Sequence, residues 1–190
     1  MPNWASVSYR IVGPKETLQK VYDAVQHPVI EEGSSEDWEG NILKTLKPDW
    51  KCPEGESIRG FIQYFDLQTS DECEYIILDA DEAWGLTCLY EELHKIFPDL
   101  NIYYIVEEPG LEVYHTNDAE GVFFPERFYV DACIDSDWYS EYFQTEKDAY
   151  HYIAKITKGA IKSKDDLERF NKDNTNPEDY INLHEFEIDE

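Results

Sequence analysis

The chain predicts an α+β fold in which an antiparallel sheet carries helices on one face. Three observations point there. Short runs rich in β-branched and aromatic residues alternate with segments whose apolar residues recur at helical spacing. Gly13-Pro14 and Pro109-Gly110 punctuate those runs as breakers. Hydrophobic residues make up 42% and aromatics 15% of the 190 residues, enough for a core despite a net charge of -26, whereas disordered acidic chains are poor in aromatics.

The elements follow in order. Residues 4–12 read as a strand, with Val7, Tyr9 and Ile11 alternating against Ser6, Ser8 and Arg10. Pro14 suits the first position of a helix, along which Leu18, Val21, Tyr22 and Val25 share a face until His27-Pro28 ends it. Ser35 is placed to cap a second short helix bearing Trp38, Ile42 and Leu46. A loop over 47–56 leads to two strands, 58–67 and 73–80, joined as a hairpin through 68–72. A helix over 86–97 buries Leu86, Leu89, Leu93, Ile96 and Phe97 and stops at Pro98. Strands over 100–106, 111–115 and 122–133 complete a meander.

The order β-α-β-β-α-β is the split βαβ arrangement of a ferredoxin-like fold, here with an extended β-meander. C-terminal helices follow. Thr145 with Asp148 resembles a capping box ahead of Tyr150, Ile153 and Ala154, Gly159 interrupts, and Ser163 opens a shorter helix with Leu167 and Phe170. The expected organisation is one domain: a core over 1–135 with a helical extension over 136–190 packed on it.

Charge is distributed unevenly along this order. Residues 1–65 carry 10 acids and 7 bases, residues 142–190 carry 12 and 7, and residues 66–141 carry 20 acids against only Lys95 and Arg127. Duplex nucleic acid needs clustered Lys and Arg, so direct nucleic-acid binding is not expected. Anionic membranes are disfavoured for the same reason. The first residues, Met1-Pro2-Asn3-Trp4, have neither a basic n-region nor an apolar h-region. No run reaches the roughly 20 apolar residues of a membrane helix. The four cysteines Cys52, Cys73, Cys88 and Cys133 form no CxxC pair, and the preferred reading is buried free thiols in a reducing cytoplasm, with disulfides in a secreted chain as the alternative.

A family resemblance rests on an ordered set of short motifs. Pro2-Asn3-Trp4 leads into a strand and Gly13. Trp84-Gly85, a helix, Phe97-Pro98-Asp99-Leu100, a strand and Glu107-Glu108-Pro109-Gly110 follow. This set resembles the YubB-type ferredoxin-like domain family of phages, plasmids and other mobile elements, over roughly residues 1–135. This chain has Leu86 and Thr87 where that family often places prolines. The resemblance implies the fold. The family has no settled activity and supplies no catalytic residues.

No catalytic motif stands out, no cofactor is expected, and a role without catalysis is preferred. Asp79, Asp81 and Glu82 before Trp84, and Asp131, Asp135 and Asp137 before Trp138, are carboxylate groups, yet their spacing fits no calcium loop. None of His27, His94, His115, His151 and His184 pairs at i+3 or i+4, so no zinc motif and no metal site is expected. Tyr103, Tyr104, Tyr114, Phe123, Phe124, Phe128 and Tyr129 suit a core or a protein interface better than a base-stacking platform, which wants a basic groove.

The candidate binding surface is acidic: Asp71, Glu72, Glu74, Asp79, Asp81, Glu82, Glu91, Glu92, Glu107, Glu108, Glu112, Asp131, Asp135, Asp137 and Glu141. It suits a basic protein partner. For a DNA mimic the even spread is too dilute. Surface scaling gives one net charge per roughly 360 Å2, against about 110 Å2 for duplex DNA, so mimicry requires these carboxylates to converge. A ligand- or peptide-binding ferredoxin-like module, and an enzyme with a carboxylate site, are the alternatives.

Overall fold

The computed structural model describes residues 3–30, 32–69, 74–176 and 178–189. Its chain divides into two compact units, Met1–Asp118 with Asp189–Glu190, and Ala119–Ile188. Both mix helices and antiparallel strands.

In the first unit the order is β1 (Trp4–Val12), α1 (Lys15–Gln26), α2 (Gly40–Leu46), β2 (Gly60–Thr69), β3 (Glu74–Ala83), α3 (Leu89–Ile96), β4 (Asn101–Glu108), a 3-10 turn (Pro109–Leu111) and β5 (Val113–Thr116). The strands lie side by side as β2-β3-β1-β4-β5, each pair antiparallel. Strand alternation sets the layers. Ala5, Val7, Tyr9 and Ile11 of β1, with Ile76, Leu78 and Ala80 of β3 and Ile102, Tyr104 and Val106 of β4, form the buried face. Leu18 and Val21 of α1, Ile42 and Leu43 of α2, and Leu89 and Leu93 of α3 close over it. Fully burying each such side chain contributes about 1.5–3 kcal/mol, which offsets the entropy of ordering short helices.

The second unit runs β6 (Phe128–Ile134), β7 (Asp137–Phe143), α4 (Glu146–Ile156), α5 (Lys164–Asp173), β8 (Tyr180–Glu185) and the two-residue β9 (Glu187–Ile188). Its own sheet has the order β7-β6-β8, both pairs antiparallel. Val130, Ala132 and Ile181 meet Ala149, Ile153, Ile161 and Leu167 in its core.

Several boundaries differ from expectation, each for a local reason. The second helix begins at Gly40 rather than at Ser35, because Trp38 pairs with Phe61 as an isolated bridge and its indole N–H donates to the Ile58 carbonyl (2.7 Å). The third helix begins at Leu89 rather than at residue 86. Trp84 (φ 65) and Gly85 (φ 92) both take left-handed backbone after β3, and the chain needs those residues to turn before it can coil. The strand over 122–133 shortens to Phe128–Ile134. The hairpin turn 68–72 lies partly outside the described residues.

Two full strands were not expected at all. Residues 137–143 are β7, returning from β6 through a two-residue turn at Asp135 (φ 53) and Ser136 (φ 70). Two successive positive φ values match the right-handed strand twist. Residues 180–185 are β8. The segment after residue 135 is therefore mixed rather than helical, with α4 and α5 set among β7, β8 and the short β9.

The cap at Thr145 is present with Asp148 as its partner. The Asp148 N–H donates to the Thr145 hydroxyl oxygen (3.2 Å), and that hydroxyl donates to the Asp148 carboxylate (2.6 Å). Ser163 repeats the arrangement with Asp166 (3.3 and 2.9 Å).

Candidate functional site

The fifteen acidic residues do not form one surface. Asp71 and Glu72 lie outside the described residues. Glu82, Glu92 and Glu108 are buried, a correction to their assignment as surface carboxylates. Strand alternation explains two of them. Glu82 shares its face with the core residues Leu78 and Ala80, and Glu108 shares its face with Ile102, Tyr104 and Val106. Asp131, Asp135, Asp137 and Glu141 belong to the second unit. Glu91 is on α3, where Lys95 approaches at 3.8 Å. Glu112 takes a left-handed turn conformation after the 3-10 turn. Glu74 pairs with Lys15 (2.8 Å).

What converges is smaller. Asp81 and Glu107 both stand opposite Ser6, one on each side of β1, and Asp79 stands opposite Ser8. All three therefore project from the face of the first sheet that the helices leave open. Asp66, opposite Ile77, adds a fourth on β2. Strand spacing puts Asp81 and Glu107 about 10 Å apart at the backbone. Arg10 is the one cation among the described strand positions of this face, 3.5 Å from the Asp79 carboxylate, which also accepts the Ser8 hydroxyl (2.7 Å). Trp4 and Tyr64, on the same face, are solvent-exposed.

Beneath the sheet lies a cluster that sequence reasoning missed. Glu39, just before α2, and Glu82 on β3 are both fully buried. The Tyr9 hydroxyl donates to Glu82 Oε1 (2.5 Å), the Thr87 N–H donates to Glu82 Oε2, and the Thr87 hydroxyl donates to Glu39 Oε2 (2.9 Å). Burial, then the charge of Glu82, pushes the Glu39 carboxyl well above the ordinary carboxylate range. Burial likewise raises Glu82, against the hydrogen bonds that favour its charged form. Burial and the Glu82 charge push the Tyr9 hydroxyl well up. Burial beside the Glu82 carboxylate thus favours the neutral form of Glu39, whose second oxygen, Oε1, has no hydrogen-bond partner among the described residues. Gly60 makes room for it, since a Cβ at that position would collide with the Glu39 carboxyl.

Chemically this cluster holds two buried carboxyls whose burial favours the neutral form. At zero exposure for both, it meets no substrate in this structure, and it ties the start of α2 to β3. The residues carried one faint signal, the sparing of Gly60 at a strand start. Nothing in the sequence distinguished Glu39 from its exposed acidic neighbours Glu36 and Asp37.

Other titratable groups have structural partners. For Glu92, burial pushes its carboxyl up. Hydrogen bonds from Lys95 and the Trp50 indole N–H (2.7 Å each) outweigh that and hold it below the usual range. The His115 ring (2.5 Å) and the Tyr104 hydroxyl (2.7 Å) meet the Asp189 carboxylate. Cys88 is a buried free thiol, pushed up to about 12 by burial and then by the neighbouring Cys52. Cys133 is free and buried, Cys52 free and exposed, and Cys73 lies outside the described residues. Among the described residues no group of three or more His, Cys, Asp or Glu is arranged to hold a metal ion. No described helix is long and apolar enough to cross a membrane.

A cleft of about 630 Å3 opens beside the bridge between Trp38 and Phe61, with Glu32, Gly33, Ser34 and Ser35 on its other walls. Comparison with protein-family models, curated proteins and solved structures finds no match to this chain.

Proposed function

We propose that this chain is an acidic protein-interaction module that docks a basic partner on its open sheet faces. One observation carries this reading: Asp66, Asp79, Asp81 and Glu107, each half-buried, share the helix-free face of the first sheet with Arg10 as the one cation among its described strand positions. Exposed aromatic side chains beside them supply apolar area of the kind that anchors protein interfaces. The strand order β2-β3-β1-β4 supports a ferredoxin-like core, and with it the resemblance to the YubB-type domain, as part of the same proposal. Glu82, Glu92 and Glu108 are buried and take no part in a surface that would imitate DNA.

The test is capture of partners from a lysate at low and high salt, with a heparin competitor, against the variant D79N/D81N/E107Q. Attraction to a basic partner is screened by salt. A partner that salt, heparin and the variant each release supports the reading. Binding indifferent to all three defeats it.

A second reading has its own observation. The cleft beside Trp38 and Phe61 combines two aromatic walls with two serines, the mix of apolar lining and a few polar groups that small-ligand sites use. A W38A variant that abolishes a ligand's binding while leaving the captured partner in place would favour it.

A further inference from the structure

The open face of the second sheet has an order that the acid count did not anticipate. Opposed residues share a face, so its rows can be read directly from the register. Tyr129 stands between Tyr142 and His184, stacked on both, with ring centroids 4.6 and 5.9 Å apart. Asp131 stands between Ser140 and Asn182 in the next row. Cys133 stands between Trp138 and Tyr180 in the third, where those two rings meet edge to face at 6.1 Å. A polar row with one carboxylate at its centre thus runs between two aromatic rows. The face is open: Trp138 is 74% exposed, and Ser140, Tyr142 and Asn182 are exposed too.

Charge is sorted by layer in this unit. The hairpin 128–143 and the segment 178–188 hold eight acids and no Lys or Arg. The helical stretch 146–173 holds seven bases against six acids. Arg127, just before β6, is the nearest cation along the sheet, and its guanidinium donates to the Phe124, Glu126 and Ala119 carbonyls, so no Lys or Arg among the described residues pairs with Asp131. One carboxylate oxygen of Asp131 accepts the Tyr180 hydroxyl (3.3 Å), and the other carries no hydrogen bond among the described residues.

The same chain shows what a surface tryptophan of this kind takes. In the first unit the Arg59 guanidinium sits 5.1 Å over the ring of Trp84. Trp138 is the more exposed of the two indoles, and no cation of the chain covers it among the described residues.

We infer that this face binds an arginine side chain of a basic partner, its guanidinium stacked on Trp138 and its N–H groups on the Asp131 carboxylate. The inference deepens the proposed function and rests on it: it names the side chain that a basic partner presents to the second unit. The geometry suits arginine. Trp138 and Asp131 are diagonal neighbours on adjacent strands, about 7–8 Å apart, a span that one long side chain bridges. A guanidinium stacks within about 6 Å of a ring centroid while donating at about 2.7–2.9 Å to a carboxylate. A lysine ammonium is a point charge without the flat face that stacks. Nucleobases would also stack on these rings, but their phosphates would meet an acidic layer whose one flanking cation, Arg127, donates to backbone carbonyls.

The experiment is an amide chemical-shift titration of the full chain with a blocked Arg-Gly repeat peptide, a Lys-Gly repeat of equal length, and oligo(dT). The Arg peptide is expected to move the amides of Asp131, Trp138, Ser140, Tyr180 and Asn182, with the Lys peptide at least tenfold weaker. D131N and W138A are each expected to weaken the Arg peptide about tenfold or more while leaving the remaining spectrum folded. The D131N amide keeps the shape of the carboxylate and can still accept from Tyr180, so a loss in that variant reports charge. Shifts confined to Asp79, Asp81 and Glu107 overturn the inference and leave the basic-partner reading standing. Tighter binding of oligo(dT), equal binding of the two peptides, or indifference to D131N overturns it as well. No shifts with either peptide, together with salt-indifferent capture, overturns both.

Discussion

In the first unit Glu39, Glu82, Glu92, Glu108 and Asp118 lie beneath the surface, whereas every buried side chain described in the second unit is apolar. By sequence the first unit is the more acidic, with 26 acids and 8 bases against 16 and 8. Part of that excess is internal, and burial pushes the Glu39 carboxyl within it well above the ordinary range, toward its neutral form. The second unit puts all its described acids on or near the surface and sorts seven of its eight cations, all but Arg127, to the helical stretch. Formal charge therefore overstates the field outside the first unit, while in the second it is a fairer measure of what a partner meets.

The sharpest way to break this contrast is to damage each core and ask whether pH matters. Ile153→Ala removes a fully buried side chain between α4 and the second sheet. It is expected to cost about 2–5 kcal/mol, equally at pH 5 and pH 8, by urea unfolding followed through second-unit amides. Gly60→Ala drives a Cβ into the Glu39 carboxyl and is expected to cost about 1–3 kcal/mol by the same method. Adding Glu39→Ala should return much of that loss, and failure to do so would show that the glycine serves the backbone instead.

Smaller effects sharpen the difference. Neither carboxylate oxygen of Glu108 has a hydrogen-bond partner among the described residues. Glu108→Met is expected to raise stability by about 1 kcal/mol in thermal unfolding, since it removes an unsatisfied buried acid. Glu39→Gln changes a slope more than a midpoint. The folded Glu39 carboxyl is raised above its ordinary value, so its contribution is complete below that ordinary value and is lost as pH rises through the folded one. Wild type should thus lose stability on going from pH 5 to pH 9. The variant, always neutral and still able to accept from the Thr87 hydroxyl, should show a flatter profile and become the more stable form at the alkaline end.

The first unit was largely legible because its strands alternate cleanly: Val7, Tyr9 and Ile11 face the helices while Ser6, Ser8 and Arg10 face out. The second was not, for an identifiable reason. Along β7 both faces are aromatic, Tyr139 and Phe143 inside and Trp138 and Tyr142 outside, so the period of two is masked. The turn that makes β7 a hairpin partner is Asp-Ser, without the glycine that marks such turns. Asp135 looked like one of a carboxylate group, yet it is one of the two turn residues, and its N–H is held by Asp179 (3.0 Å). The acidic surface was legible as a count but not as a site. Which of two adjacent glutamates, Glu107 or Glu108, faces water depends on strand phase, and which of Glu36, Asp37 and Glu39 is swallowed by the core depends on a partner, Thr87, 48 residues along the chain.

The last described residue holds the edge of the first unit. The Asp189 N–H donates to the Thr116 carbonyl (2.9 Å), and its carboxylate receives Tyr104 and His115. Everything from Ala119 to Ile188 is thus spliced into a unit that opens before it and closes after it. On the ribosome the intervening unit is complete before its host is. Strands β1 to β5 emerge first but wait, with the Tyr104 hydroxyl and the His115 ring not yet met by Asp189, until some seventy further residues have been made. The chain's order of synthesis and its order of completion are therefore different.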